Sequence, residues 1–225
     1  MRGKLIVLEG GDSSGKSTQF RALKERLEKE NISFYTTKFP RHDHPSAYFV
    51  DKMLRGEYGS LEEQNPYRTS LFYALDRFDA MPEINDALHD GKLVILDRYT
   101  SANIGHQGSK IQDAAKRSAY IQWLEDLEYN ICGIPKPDKV YYLHMPTEKA
   151  LELLEKRNTA SAAPKEVDIH EQDASHLYKT EEAYLEAVRL FTNWEIIECA
   201  EHNRIRSIEE IHEDLYIRVQ KDFLI

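Results

Sequence analysis

The segment Gly10-Gly11-Asp12-Ser13-Ser14-Gly15-Lys16-Ser17 follows the pattern G-x-x-x-x-G-K-S/T, directly after the apolar run Leu5-Ile6-Val7-Leu8. Glycines let such a loop curl until successive backbone N–H groups point inward and cradle phosphate oxygens. A helix beginning near Ser17 adds the positive end of its dipole. Lys16 supplies a cation for the β- and γ-phosphates of a nucleoside triphosphate, and the Ser17 hydroxyl can ligate Mg²⁺. Gly10, Gly11, Asp12, Ser13, Ser14, Gly15, Lys16, Ser17 and Thr18 are therefore the candidates for holding a triphosphate donor.

Two further groups have types and spacing suited to the same chemistry. Asp97-Arg98-Tyr99 closes the apolar run Leu93-Val94-Ile95-Leu96, where open α/β sheets bind ligands. Asp97 can hold Mg²⁺ directly or through water, and Arg98 can clamp an anion in bidentate fashion. In Leu71-Phe72-Tyr73-Ala74-Leu75-Asp76-Arg77, Tyr73 and Arg77 lie one helical turn apart and share a face. An aromatic plane beside a guanidinium suits a nucleobase and its 5′-phosphate. Phe72 and Leu75 fall on neighbouring faces and read as core.

The elements that must position these groups alternate between short apolar runs and long amphipathic stretches, the mark of parallel strands joined by crossover helices. Strands are expected at Leu5–Leu8, Phe34–Phe39, Leu93–Leu96, Val140–Leu143 and around Ile196-Ile197. Helices are expected at 17–29, 45–54, 66–88, 112–127, 147–157 with Thr147 as cap, 174–193 and 207–223. Neither a repeat nor a linker divides the chain, so residues 1–225 read as one three-layer α/β domain.

Composition narrows the function classes. Of 225 residues, 41% are hydrophobic, as in a globular protein, and 30 Lys plus Arg against 39 Asp plus Glu leave a net charge of −9. A surface of that sign repels phosphate backbones, which argues against coating a nucleic acid polymer or adsorbing to a membrane. Cys132 and Cys199, without a CxxC pair, give neither a disulfide framework nor a thiolate zinc site. His42-Asp43-His44 has no companion ligands elsewhere in the sequence to complete a metal set. No stretch approaches the ~20 apolar residues of a membrane span, and the opening apolar run is too short for an export signal. The expected location is the cytoplasm. No Asn-Lys-x-Asp motif and no D-x-x-G beyond the loop itself is present, which argues against a guanine-nucleotide switch.

Taken in order, Glu9-Gly10-Gly11-Asp12, Gly15-Lys16-Ser17-Thr18-Gln19, Lys38-Phe39-Pro40-Arg41, Leu75-Asp76-Arg77, Asp97-Arg98-Tyr99, Gln107-Gly108, Pro135-Lys136-Pro137-Asp138 and Asp168-Ile169-His170-Glu171 resemble the thymidylate kinase family across nearly the whole chain. The resemblance implies the P-loop NTPase fold, with a five-stranded parallel sheet of order 2-3-1-4-5, helices on both faces and a mobile lid at about 158–172. It implies transfer of a phosphoryl group from ATP to dTMP with Mg²⁺, and a homodimer. By the same resemblance, Asp12 accepts from the deoxyribose 3′-hydroxyl, Tyr73 stacks on thymine, Arg77 and Arg98 hold the acceptor phosphate, Gln107 meets the base edge, and Phe39 and Arg41 border the pocket. Lys16, Arg98, Arg157 and Lys165 are then the catalytic candidates, with Arg157 also near the donor nucleotide, and Ser17 and Asp97 the metal candidates.

The chain departs from the family at two places. Ser13 stands where some members carry an Arg, which shifts the search for a transition-state cation to Arg157 and Lys165. Ala102 and Asn103 stand where a Ser pair is common. Two other functions are compatible with the motifs: a kinase for a nucleoside or another nucleoside monophosphate, and a regulator that binds ATP without transferring phosphate. Paired arginines favour a monophosphate over an uncharged nucleoside.

Overall fold

The structure is a computed structural model that describes residues 2–60, 63–160 and 174–224, the last four of the middle stretch and Leu224 by backbone alone. Five strands, β1 (Lys4–Gly10), β2 (Phe34–Lys38), β3 (Leu93–Asp97), β4 (Lys139–His144) and β5 (Trp194–Glu198), pair in the order β2-β3-β1-β4-β5. Every pairing in this sheet is parallel. The order is the expected one, and β1 at its centre carries the phosphate loop from its carboxyl end.

Strand periodicity builds two cores, one on each face. Leu5 and Val7 of β1, Val94 and Leu96 of β3, and Val140 and Tyr142 of β4 face one side. There they meet Ile84 and Leu88 of α4 (Met81–His89), Tyr120 and Leu124 of α6 (Ala114–Glu125), and Tyr184 of α8 (Ala174–Leu190). Ile6, Leu8, Ile95, Tyr141 and Leu143 face the other side. Leu23 and Leu27 of α1 (Lys16–Lys29), Ala150 of α7 (Thr147–Ala160) and Ile211, Leu215 and Val219 of α9 (Ile208–Val219) cover that face. All four apolar residues of Leu5–Leu8 are fully buried. At roughly 1.5–3 kcal/mol for each such side chain, this strand anchors the loop that follows it.

Several expectations are corrected. The single helix read over 66–88 is two, α3 (Pro66–Asp79) and α4, which meet at Ala80. Pro82 has no N–H for the Phe78 carbonyl, so it ends one helix and suits the first turn of the next. Leu75 is not core: it is 51% exposed, with Leu71 and Phe78 beside it on the outer face of α3. Thr147 is not a cap but the first residue of α7, with its N–H and hydroxyl both donating to Glu181 Oε2 at 3.0 and 2.5 Å. The helix read over 112–127 begins after the Asp113 cap and passes into a π-helical turn at Asp126–Ile131. The helix read over 207–223 likewise ends in a π-helical turn after Val219.

Two segments near the site differ from the expected elements. The segment 45–54 is a 3₁₀ turn, Pro45–Ala47, leading into α2 (Tyr48–Leu54), and a short helix α5 (Thr100–His106) directly follows Asp97-Arg98-Tyr99. A two-stranded hairpin, β6 (Ala200–Glu201) with β7 (Arg204–Ile205), was also unforeseen. Its turn residues His202 and Asn203 both take positive φ, 49° and 63°, as a tight hairpin turn requires. The lid expected at 158–172, Lys165 and Asp168-Ile169-His170-Glu171 lie outside the described residues except for the helical backbone of 158–160.

Candidate active site

The phosphate loop is shaped by close approach and by left-handed backbone. A Cβ on Gly10 would come within 2.4 Å of Ser14 Oγ and 3.3 Å of the Leu143 carbonyl oxygen, so the strand can turn into the loop only without a side chain there. Gly15 adopts φ +81° and caps α1, accepting from the N–H groups of Thr18 and Gln19 at 3.0 and 3.1 Å. Ser13 is also left-handed, at φ +59°. Reversals of this kind turn adjacent amides toward one centre. The resulting basin, about 270 Å³, is lined by residues 11–18 together with Arg98.

Lys16 is buried at the floor of this basin and pairs through Nζ with Asp97 Oδ1. Burial, reinforced by nearby Arg98, pulls the pKa of the Lys16 ammonium below its ordinary value, and Asp97 opposes that shift. Asp97 is thus the internal counterion of the loop cation. Among the described residues no cluster of three or more His, Cys, Asp or Glu side chains could enclose a metal. A hydroxyl and a carboxylate, Ser17 and Asp97, are nonetheless a donor set that suits Mg²⁺, which typically takes one or two protein oxygens and fills its shell with phosphate and water.

A second cavity, about 180 Å³, adjoins the first, and the two share Asp12 and Arg98. Arg98 takes φ +66°, a rare conformation for a bulky residue and one that collects at functional sites. Its Nη2 donates to Asp12 Oδ1 at 3.0 Å and its Nη1 to His106 Nε2. A guanidinium accepts nothing, so the His106 proton sits on Nδ1 in this arrangement. Burial would depress the Arg98 pKa, but Tyr184, Asp12, Glu9 and Asp97 more than offset it. Arg98 therefore stays a cation where the two basins meet.

Phe39 and Tyr73 give this second cavity its aromatic walls, and Arg77 and Gln107 also line it. The two arginines differ in what they can offer. Arg77 is 1% exposed, and its Nε and Nη2 bind the two carboxylate oxygens of the fully buried Glu128 while Nη1 donates to the Tyr99 carbonyl at 3.2 Å. Arg41 does not line the cavity. Its guanidinium turns onto α3, binding Asp76 Oδ1 at 2.9 Å and Asp79 Oδ2 at 2.5 Å. Arg157 lies on α7, with its side chain outside the description, as is all of Lys165.

Three participants, Asn103, His106 and Glu9, were given no role at the site from the sequence. Asn103 and Gln107 lie one turn apart at the end of α5 and both line the cavity. Asn103 Nδ2 and Gln107 Oε1 are buried without a hydrogen-bond partner, one a donor and one an acceptor. Their spacing of four was a readable signal once a helix was placed after Tyr99, and that helix was missed. His106 enters through Arg98. Glu9, fully buried beneath the loop, accepts from Tyr99 N–H (3.1 Å), Ser101 Oγ (2.6 Å) and Tyr184 Oη (3.0 Å). Burial lifts its carboxyl pKa, against the pull of Arg98 and the hydroxyls. This carboxylate ties β1, the start of α5 and α8 into one frame.

The profile of the family described as thymidylate kinase matches residues 8–215. A probable thymidylate kinase of Pyrococcus horikoshii is 29% identical over 100% of this chain and 99% of its own. A thymidylate kinase of Mycobacterium tuberculosis (strain CDC 1551 / Oshkosh) is 31% identical over 81% of this chain and 84% of its own. Among solved structures, thymidylate kinase from Candida albicans superposes with a TM-score of 0.74 at 21% identity, covering 98% of this chain and 92% of that one, which shows the fold.

Proposed function

The chain belongs to the thymidylate kinase family, and from that premise we propose that it transfers the γ-phosphoryl group of ATP to dTMP, giving dTDP and ADP. The observation that carries this reading is the pair of cavities that meet at Asp12 and Arg98, one walled by loop amides and the other by aromatic rings and amides. ATP places its phosphates in the loop basin, and dTMP lies in the side cavity with its phosphate toward Arg98. An oxygen of that phosphate attacks the γ-phosphorus while the bond to the β-phosphate oxygen breaks. The attacking oxygen is already anionic, so no side chain need remove a proton. The residues contribute position and charge: Lys16 and the loop amides on the donor, Arg98 on the acceptor. Ser17 and Asp97 would hold Mg²⁺, which would supply charge neutralisation to the phosphoryl donor. Arg157 and Lys165 are the proposed cations for the migrating group, since the loop itself carries Ser13 in place of an Arg.

Base choice follows from the unpartnered amides. A keto pyrimidine offers a carbonyl acceptor beside an N3–H donor, which complements Asn103 Nδ2 and Gln107 Oε1. Cytosine has no proton on N3, so the same amides would face it with a pair mismatched. Leaving buried polar atoms unpaired is costly enough to discriminate by about a hundredfold or more. Tyr73 and Phe39 flank the ring, and Asp12 meets the sugar. The test is an acceptor screen with ATP and Mg²⁺, following ADP release. We expect dTMP to be turned over at least about a hundredfold better than dCMP or thymidine. Turnover of thymidine, or of no monophosphate at all, would favour a nucleoside kinase or a non-transferring ATP-binding regulator instead.

We read residues 1–225 as one catalytic unit acting in the cytoplasm, a reading supported by two cysteines that are both free. Among the described residues no helix is long and apolar enough to cross a membrane. A symmetric homodimer is supported by Leu71, Leu75 and Phe78, which are 41%, 51% and 46% exposed and form one apolar stripe along α3. Such a stripe fits the same helix of a second copy. Leu75→Asp, which places a charge at its centre, is expected to convert the protein to monomers in sedimentation equilibrium. An unchanged mass would move the interface elsewhere.

A further inference from the structure

Arg77 and Glu128 form a fully buried ion pair that no motif of the chain announces. Glu128 sits on the π-helical turn Asp126–Ile131, and its carboxylate also accepts from Thr100 Oγ1 at 2.9 Å. Thr100 begins the helix that carries Asn103 and leads into Gln107, so one carboxylate ties the Arg77 side of the acceptor cavity to the element bearing its two amides. Three N–H bonds of Arg77 are committed, two to Glu128 and one to the Tyr99 carbonyl. A guanidinium has five, which leaves two, held in fixed directions by this fork. Its charge is cancelled in place by a carboxylate that solvent does not reach. Arg98, by contrast, is partly exposed at the junction of the two basins.

We propose that Glu128 is a positioning residue for the acceptor: it fixes the Arg77 guanidinium and cancels its charge, so that Arg77 serves the cavity as an oriented donor and not as a phosphate-binding cation. The inference rests on the reading of the cavity as the dTMP site. It also divides labour between the arginines, with the acceptor phosphate falling to Arg98. Losing the Glu128 charge would leave Arg77 an uncompensated cation in a cavity whose other lining charges, Asp12 and Arg98, already pair with each other. Such a cation would add a second oxyanion attractor beside Arg98, an effect that general loosening of the structure does not produce.

The test is steady-state kinetics of the full chain with inorganic phosphate as the probe. For Glu128→Gln we expect the KM for dTMP to rise at least tenfold, with kcat at saturation within threefold and the KM for ATP unchanged. Inorganic phosphate should inhibit this variant, competitively with dTMP, at concentrations at least tenfold below those needed for the native enzyme. Glu128→Asp keeps the charge but shortens the reach. It should raise the KM for dTMP while leaving the phosphate response native, and this comparison stands even if Glu128→Gln does not fold. In the double variant Arg77→Met/Glu128→Met the phosphate sensitivity should vanish while the dTMP defect persists. Native KM and native phosphate response in Glu128→Gln, a native KM for dTMP in Glu128→Asp, or a native KM in the double variant would each overturn the inference. A native enzyme idle with dTMP would sink the functional reading itself, a result separable from any of these.

Discussion

Lys16→Ala is expected to lower kcat by about 10²–10³, the usual loss when one preorganised charge contact to a reacting group is removed. Lys16 is the cation of the donor basin, and its side chain is only 8% exposed, so water cannot replace it. Its ammonium is set between two opposing influences, burial and Arg98 against Asp97. A donor phosphate tips that balance by offering a stronger anion than Asp97. Because Lys16 lines the donor basin and not the side cavity, the KM for dTMP should stay within a few-fold of native. The substitution also strands Asp97, which is 14% exposed. Breaking a buried pair costs about 3–5 kcal/mol, so the melting temperature should fall, and Lys16→Ala/Asp97→Asn should recover stability without recovering rate. A folded Lys16→Ala enzyme with near-native kcat would remove Lys16 from the chemistry.

What the sequence disclosed, and what it withheld, follows from the range of the forces involved. The central strand and the loop after it are local: four apolar residues, then glycines where the backbone must turn back on itself. Tyr73 and Arg77 are local too, since their shared face depends only on helix periodicity. The partners of Arg77 were not, because Glu128 lies 51 residues away and pairs only after the chain has folded. Periodicity did hold a trace of it. Ile121, Leu124 and Glu128 fall on one buried face, and an acid at such a position implies a buried partner, yet the run Glu125-Asp126-Leu127-Glu128 reads as an ordinary solvated helix end. Arg41 was misjudged for the reverse reason. Its motif neighbours line the cavity, but Asp76 and Asp79 present a closer, acidic surface on α3. Leu75 looks like core from spacing alone, and only the packing of α3 shows that its face is open.

Arg98→Ala is expected to cut kcat/KM for dTMP by about 10²–10³, with a loss in both terms because Arg98 touches both cavities. Strain argues that the native residue is held there by use. At φ +66° a long side chain is disfavoured, and alanine inherits the same backbone. Arg98→Gly should therefore be the more stable of the two variants while being equally inactive, which separates backbone strain from charge. The charge has a second effect on the frame beneath the loop. Burial raises the Glu9 carboxyl, and Arg98 is the largest influence opposing that rise. Without Arg98 the folded state holds the Glu9 proton to higher pH than before, whereas the unfolded chain releases it near the ordinary carboxylate value of 4.5. Stability falls with rising pH wherever the folded state binds more protons. The destabilisation of Arg98→Ala relative to native should thus grow as pH rises through the native Glu9 pKa, itself raised above the ordinary value, and urea titrations at pH 5 and pH 8 measure it. A deficit that is constant across that range would detach Glu9 from Arg98. Native kcat/KM in a folded Arg98→Ala protein would take the acceptor phosphate away from the junction of the two basins.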